Sequence, residues 1–259
     1  MTVDVSFAKL LLENLGAKVE PIATGSEKRA DFIARVSDTS VLIEEKTKLD
    51  DPADLAERQQ ALDTGQPYAT HIPIKPDNRL SGITYEAAKQ IAATTPAVRT
   101  DFKIVWFTAA GRNYEGKYRQ YISTLYGKTN LVERDSSRLR DCYFFHNSEF
   151  FRHRMTLDGA VVAWTDGKEL SAKLCLNTLS PHYQAFSSSA FRLLFKNAVI
   201  DPVEEENESD HTFIADCEID RSQPNELLVY LMRKYGTKEL MNMNMGYSSV
   251  DVVVRKDDD

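Results

Sequence analysis

The sequence predicts an α/β fold, and three observations carry that expectation. A helical stretch at the start is followed by three short extended runs, a further helical region and a strong strand. That strong strand, Phe102–Ala109 (FKIVWFTA), is apolar and rich in β-branched and aromatic residues. Two more apolar runs, Phe32–Val36 and Val41–Ile43, flank the turn-forming cluster Ser37-Asp38-Thr39-Ser40, which is the signature of a β-hairpin.

The elements follow in order. Residues 5–15 (VSFAKLLLENL) place Phe7, Leu10, Leu11 and Leu15 on one helical face, with Asp4 or Ser6 as cap and Gly16 as stop. Lys18–Ala23 predicts a strand, then a turn at Gly25-Ser26 before the hairpin. Residues 50–63 begin with acids and a proline and predict a short helix. Gly65–Ser81 holds three prolines and predicts a loop or irregular insertion. Lys75 and Arg79 in it are candidate phosphate contacts or solvated loop charges. Helices are expected at Ile83–Thr94, stopped by Pro96, and at Glu115–Tyr126. The later chain predicts strands at Asp141–His146, Gly159–Trp164, Ala172–Asn177 and Ser249–Arg255. It also predicts helices at His182–Phe195 and Asn225–Tyr235, the second closed by Gly236. The chain is therefore divided into a core, residues 1–129, and a C-terminal α/β extension, 130–259, suited to recognition or partner binding.

Composition bounds the function. The 259 residues are 42% hydrophobic and 27% charged, as in an ordinary globular protein. No apolar run reaches membrane-spanning length, no signal peptide is visible, and no membrane partner is expected. Cys142, Cys175 and Cys217 are odd in number and far apart, which fits a reducing cytoplasm better than a disulfide framework. The net charge of −7 disfavours a protein that coats nucleic acid, but the charge is uneven. Arg99–Arg154 carries eleven Lys/Arg against six Asp/Glu, whereas Asp201–Asp220 carries nine acids and no Lys or Arg. That acidic segment is expected to be an exposed, mobile linker or loop, and Lys256–Asp259 a frayed end.

The chemistry gathers on the hairpin. Asp31 opens its first strand, while Glu44 and Lys46 close the second and share one face by the two-residue period. Folding the hairpin brings Asp31 near Glu44. Two adjacent carboxylates repel unless something occupies the site, and a hard divalent cation such as Mg²⁺ relieves the conflict. Such an ion acidifies a bound water and stabilises charge on a phosphate, which is the chemistry of phosphodiester hydrolysis. A solvated strand end with a surface ion pair is the plain alternative.

An acid, twelve intervening residues and then Glu-x-Lys at the end of an apolar strand resembles the PD-(D/E)XK nuclease superfamily. The likeness spans roughly residues 5–126, and Ala30 stands where the family often has proline. The resemblance implies a restriction-endonuclease-like core, a central mixed sheet flanked by helices. It implies that Asp31 and Glu44 bind Mg²⁺ (or Mn²⁺), that Lys46 is catalytic, and that the substrate is nucleic acid, DNA being favoured. It further implies a cytoplasmic role in prokaryotic defence or restriction. A protein partner or homodimer is open, as is a binding module that cuts only with its partner. Many family members draw an extra acid from the first helix. Glu13 is the one candidate here, and it lies off the apolar face, so solvent is its expected surrounding.

Other motifs compete. Gly111-Arg-Asn-Tyr-Glu-Gly116-Lys117-Tyr118 fits G-x-x-x-x-G-K between a strand and a helix, the context of a nucleotide-binding P-loop. Tyr118 stands where Ser or Thr should hold Mg²⁺, and Glu115 adds negative charge. The aromatic and basic residues from Arg112 to Tyr121 suit either a nucleic-acid groove or the core. Cys142, His146 and His153 match no zinc spacing. The stretch Phe145–Arg154 is a candidate nucleic-acid edge or simply surface and core.

Overall fold

A computed structural model describes residues 6–23, 29–220 and 222–254; the expected turn at Gly25-Ser26, the alternative cap Asp4, Arg255 and the tail 256–259 lie outside them. Helix α1 (Phe7–Asn14) is capped by Ser6, whose hydroxyl accepts from Lys9 N. Strand β1 (Lys18–Pro21) pairs antiparallel with β2 (Phe32–Val36), which turns through Ser37 and Asp38 into β3 (Thr39–Lys48). Next come α2 (Pro52–Asp63), capped by Asp51, β4 (Tyr68–Pro73) and α3 (Asn78–Thr94), capped by Asp77. Strand β5 (Phe102–Ala110) leads to α4 (Tyr114–Tyr126), which stops at Gly127.

The later chain contains β6 (Thr129–Glu133), β7 (Arg138–Phe144), the short helix α5 (Glu149–Arg152), β8 (Gly159–Thr165) and β9 (Leu170–Leu176). Then follow α6 (Tyr183–Ser187), α7 (Ala190–Leu193), β10 (Val199–Ile200), α8 (Pro202–Glu208) and β11 (Thr212–Ala215). Helix α9 (Pro224–Tyr235), β12 (Leu240–Met243) and β13 (Gly246–Asp251) complete it.

A seven-stranded mixed sheet, ordered β1-β2-β3-β5-β8-β9-β10, is the spine of this α/β fold. Its middle strands β3, β5 and β8 run parallel and are covered on both faces, so they read as near-continuous apolar runs. One face, carrying Leu42, Val105, Phe107 and Val162, packs against α3 and α4 through Ala87, Ile91, Tyr121 and Leu125. The other face, carrying Val41, Ile43, Ile104 and Trp106, packs against α1, α6 and α7 through Leu12, Phe186 and Phe191. Trp106 and Phe107, both fully buried, each contribute about 2–3 kcal/mol of apolar burial. A second, four-stranded sheet, β11-β7-β6-β12, packs on α9, and β4 pairs with β13 in a separate ribbon. Among the described residues no helix is long and apolar enough to cross a membrane.

Four expectations change. The seven-stranded sheet runs across the division expected at residue 129, because β8, β9 and β10 extend it beside β5. Gly65–Ser81 is not all loop: Tyr68–Pro73 finds its partner in Gly246–Asp251, too distant in sequence to be read locally. The single helix expected at 182–195 is two, since the Ser189 hydroxyl accepts from Arg192 N and starts a new turn. Residues 201–220 are not an exposed loop. They form α8 and the buried strand β11, whose Phe213, Ile214 and Ala215 enter two cores.

Tyrosine hydroxyls take up much of the acidity of this segment. Tyr143 donates to Glu205 (2.6 Å), Tyr183 to Asp201 (2.8 Å), Tyr235 to Glu206 and Tyr230 to Asp216.

Candidate active site

The site is built where β2 begins and β3 ends. The β2–β3 register pairs Phe32 with Ile43, and the next step sets Asp31 opposite Glu44. The Asp31 amide donates to Ile43 O (3.0 Å), and its carboxylate Oδ2 accepts from Glu45 N (2.8 Å). Asp31 is thus held by backbone at both ends. Glu44 and Lys46 share the face of β3 that looks toward α3, and the Lys46 ammonium donates to Glu44 Oε1 and to Gln90 Oε1 (2.8 Å). The three residues expected from the sequence are brought together.

Glu44 is the unusual member. It is 1% exposed, and its second oxygen, Oε2, is buried without a hydrogen-bond partner among the described residues. Burial, offset in part by Lys46 and reinforced by the neighbouring Asp31 charge, pushes its carboxyl up to about 7. An orphaned carboxylate oxygen costs about 1–3 kcal/mol or more in a folded protein, and such atoms are uncommon. A divalent cation seated between Glu44 Oε2 and Asp31 would remove that cost and hold Glu44 ionised, so the donor set suits a hard metal. It is a two-carboxylate set: among the described residues no three His, Cys, Asp or Glu converge as a metal centre.

Helix α3 supplies a residue that the hairpin motif did not reveal. Gln90 accepts from Lys46 through Oε1, and its amide reaches Arg29 O (3.4 Å). One turn on, the Thr94 hydroxyl accepts from Ala30 N (2.8 Å). Ala30 is 2% exposed and occupies the position before the acid, so the small side chain fits under α3. The signal in the sequence was spacing: Gln90 and Thr94 fall four apart on the sheet-facing side of α3, beside Ala87 and Ile91.

Glu45 points the other way, as strand alternation requires. Its carboxylate accepts from Ala8 N (2.9 Å) and Ser6 Oγ (2.6 Å), so it sits at the N-terminus of α1 and favours that helix end. Glu13 is exposed beside Lys9 at 3.9 Å and takes no part in the site.

Two residues beyond Lys46 on the same face, Lys48 lines a cavity of about 280 Å³ together with Leu80 and Ile83 of α3. Most charges around it are spent. Asp51 and Asp77 cap helices, Asp251 takes Arg58 (2.7 Å) and Arg112, and Asp50 takes Lys117 (2.5 Å). Among the described residues Lys48 and Arg79 have no ion-pair partner, and neither has Asp54, so the cavity offers an incoming anion two cations beside one unpaired carboxylate. Lys75, the other candidate phosphate contact, is exposed and does not line this cavity.

The Gly111–Lys117 turn is filled by the chain itself. The Asp50 carboxylate accepts from Arg112 N (2.9 Å) and from Lys117 Nζ, which also donates to Ala110 O (2.8 Å). Gly111 adopts φ +92°, and a Cβ there would collide with Asp50. Burial raises the Asp50 carboxyl, but Lys117 and the Arg112 amide outweigh it and hold it below its ordinary value. An internal anion occupies the seat in which a P-loop holds phosphate.

The remaining candidates are tied inward. Tyr121 is buried and stacked on Phe107 (3.8 Å), and Tyr118 stacks on Trp164 (4.2 Å). In the stretch 145–154, Phe145 and Phe150 are core, and Arg152 is bound to Glu149 (2.7 Å). Cys142 is buried in the second core and His153 lies 3.4 Å from Glu149, so they form no metal set with His146. The chain matches no family model, no curated protein and no solved structure.

Proposed function

We propose that this protein is a metal-dependent nuclease that hydrolyses phosphodiester bonds at Asp31, Glu44 and Lys46. The observation that carries the reading is the buried, unpartnered Oε2 of Glu44 beside a second carboxylate and a lysine. Asp31 and Glu44 would hold Mg²⁺ or Mn²⁺. When bound, such an ion acidifies a water and offsets charge building on the phosphate. Asp31 keeps its orientation through the Glu45 amide on Oδ2, and Oδ1 would be the oxygen offered to a ligand. Lys46, fixed from two sides by Glu44 and Gln90, presents an ammonium to the scissile phosphate or to the attacking water. Lys48 and Arg79 in the adjoining cavity suit flanking phosphates of a nucleic-acid strand, DNA being the favoured substrate. A role in prokaryotic defence or restriction belongs to the same reading, as does a homodimer if both strands of a duplex are cut.

The test is cleavage of plasmid, linear duplex, single-stranded DNA and RNA with Mg²⁺, Mn²⁺, Ca²⁺ or EDTA. The expected result is cutting with Mg²⁺ or Mn²⁺, binding without cutting in Ca²⁺, and nothing in EDTA. Robust cleavage in EDTA would sink the metal mechanism. Binding that never leads to cutting under any of these ions would favour the same fold acting as a binding module.

A further inference from the structure

A second cavity, of about 320 Å³, lies away from the hairpin where the large sheet, the second sheet and the β4–β13 ribbon meet. Its polar lining is Tyr118, Arg119 and Ser123 of α4, Lys128 and Asn130 at the start of β6, and Lys173 of β9. Among the described residues no carboxylate lines it. In a chain with 39 Asp and Glu against 32 Lys and Arg, a concave surface lined by three cations runs against the net charge. The cavity beside Lys48, by contrast, balances five acids against five cations.

The three cations are not equally engaged. Lys128 is held by Asp141 (2.7 Å) from behind the wall, and Arg119 by Glu115 (2.5 Å) at the rim. Lys173 has no ion-pair partner among the described residues, although it is only partly exposed on the sheet face that α4 covers. Ser123, a further polar residue of the lining, is 2% exposed. Asn130 gives its amide to Asp141 (2.7 Å) and keeps its carbonyl oxygen for another donor. An ammonium with no counter-ion among the described residues, in a concave surface that Arg119 and Lys128 also line, points to an anionic partner. The rest of the lining includes the apolar side chains of Ile74, Ile122, Ile200 and Met245.

We infer that this cavity binds a nucleoside phosphate, with Lys173, Ser123 and Arg119 on the phosphate and apolar side chains of the lining against the base. The size is right for one mononucleotide, and a lining that mixes cations with apolar side chains is that of a small-molecule site. Strand β9 stands three places from β3 in the sheet, so the cavity is about 14 Å or more from the hairpin carboxylates and is a separate site. A ligand there touches all three sheets and would lock them together, which makes thermal stabilisation a direct readout.

The test is calorimetric titration, with melting curves alongside, of the intact protein in EDTA with AMP, ATP, adenosine and inorganic phosphate. The protein is compared with Lys173→Glu, Ser123→Val and Glu44→Gln. Saturable binding of AMP or ATP with a raised Tm is expected. Lys173→Glu should weaken it at least tenfold while the apo melting curve stays cooperative, and Glu44→Gln should leave it unchanged. Three results would overturn the inference. These are no saturable binding of either nucleotide at millimolar concentration, equal affinity in Lys173→Glu and wild type, or binding of inorganic phosphate alone. Loss of nucleotide binding in Glu44→Gln would move the ligand to the hairpin and overturn it as well.

Discussion

Two corners of this molecule bring a lysine against a carboxylate, and they are built to opposite ends. At Asp50 and Lys117 both carboxylate oxygens have a donor: one accepts from a backbone amide and the other from the ammonium, which also donates to a carbonyl. The Asp50 carboxyl is held below its ordinary value. At Glu44 and Lys46 one oxygen is left over in a buried place, and the carboxyl is pushed up to about 7. A saturated pair is a fastening for the chain. An unsaturated one persists only if something else completes it, because a buried polar atom without a partner is costly. Both corners present a short motif in the sequence, and only their hydrogen-bond inventories tell them apart.

The sharpest way to break this comparison is to neutralise the unsaturated corner. Glu44→Gln should lower cleavage by a hundredfold or more, about 2.7 kcal/mol of transition-state stabilisation, while Tm holds or rises. Asp31→Asn and Lys46→Ala should follow it in activity. Glu45→Gln is the register control. It should keep cleavage, and its stability should change by less than about 1 kcal/mol, since burial, which raises the Glu45 carboxyl, opposes the gain from Ala8 N and Ser6 Oγ. A dead Glu45→Gln beside an active Glu44→Gln would mean that the wrong face of β3 has been assigned.

The saturated corner should answer in stability instead. Lys117→Ala strands the Asp50 carboxylate, each side chain being only 13% exposed, and should cost about 2–4 kcal/mol in denaturant unfolding. Asp50 has a depressed folded pKa. Its contribution is therefore present above the unfolded value, near 3.8, and is lost as pH falls through the lower folded one. The acid limb of the wild-type stability curve should be steeper than that of Lys117→Ala. Cleavage per folded molecule should not change. Micromolar ATP binding that disappears with Lys117→Ala would make this turn a nucleotide site instead of a fastening.

How much of this was legible in the sequence depends on how far apart the partners lie. The Asp31–Glu44–Lys46 corner was readable because one hairpin carries all three, and alternation fixes which glutamate faces the lysine. Gln90 was not, because it lies forty-four residues beyond Lys46 on another element, and a glutamine on a helix is silent until packing gives it a partner. Strand β4 hides among loop residues for the same reason: its partner β13 is at the far end of the chain. The acidic segment misleads differently. Nine acids without a cation argue for solvent, but tyrosine hydroxyls and cations of other elements (Arg138, Arg192, Lys234) supply the donors, and a charge count within the segment registers neither.

A smaller effect sharpens the unsaturated corner. Gln90→Leu removes one of the two acceptors that aim Lys46 and leaves the carboxylates in place. A positioning role predicts a fall in kcat of about tenfold, ~1.4 kcal/mol, with KM nearly unchanged. Gln90→Glu, which restores an acceptor, should recover part of it. If kcat is untouched while Tm falls, Gln90 serves only to pin α3 to the Arg29 backbone.

The smallest effect lies in the acidic segment, where Glu205 is intermediate between the two corners. Its oxygen accepts from Tyr143 (2.6 Å), yet burial, only partly offset by Tyr143 and Lys128 and reinforced by Asp141 and Asp201, leaves its carboxyl above the ordinary value of 4.5. A raised folded pKa means that the protonated form is favoured by folding. The stabilisation is complete below the unfolded value and is lost as pH rises through the folded one. At pH 8 the ionised carboxylate therefore sits in its less favourable state. Glu205→Gln keeps an acceptor for Tyr143, carries no charge at any pH, and leaves Asp141 to hold Lys128. Its Tm should exceed that of wild type at pH 8, and the advantage should vanish at pH 4, where Glu205 is itself protonated. A Tm deficit at pH 8 that closes at pH 4 would instead mean that attraction to Lys128 outweighs burial, and Glu205 would then belong with Asp50 as a saturated fastening.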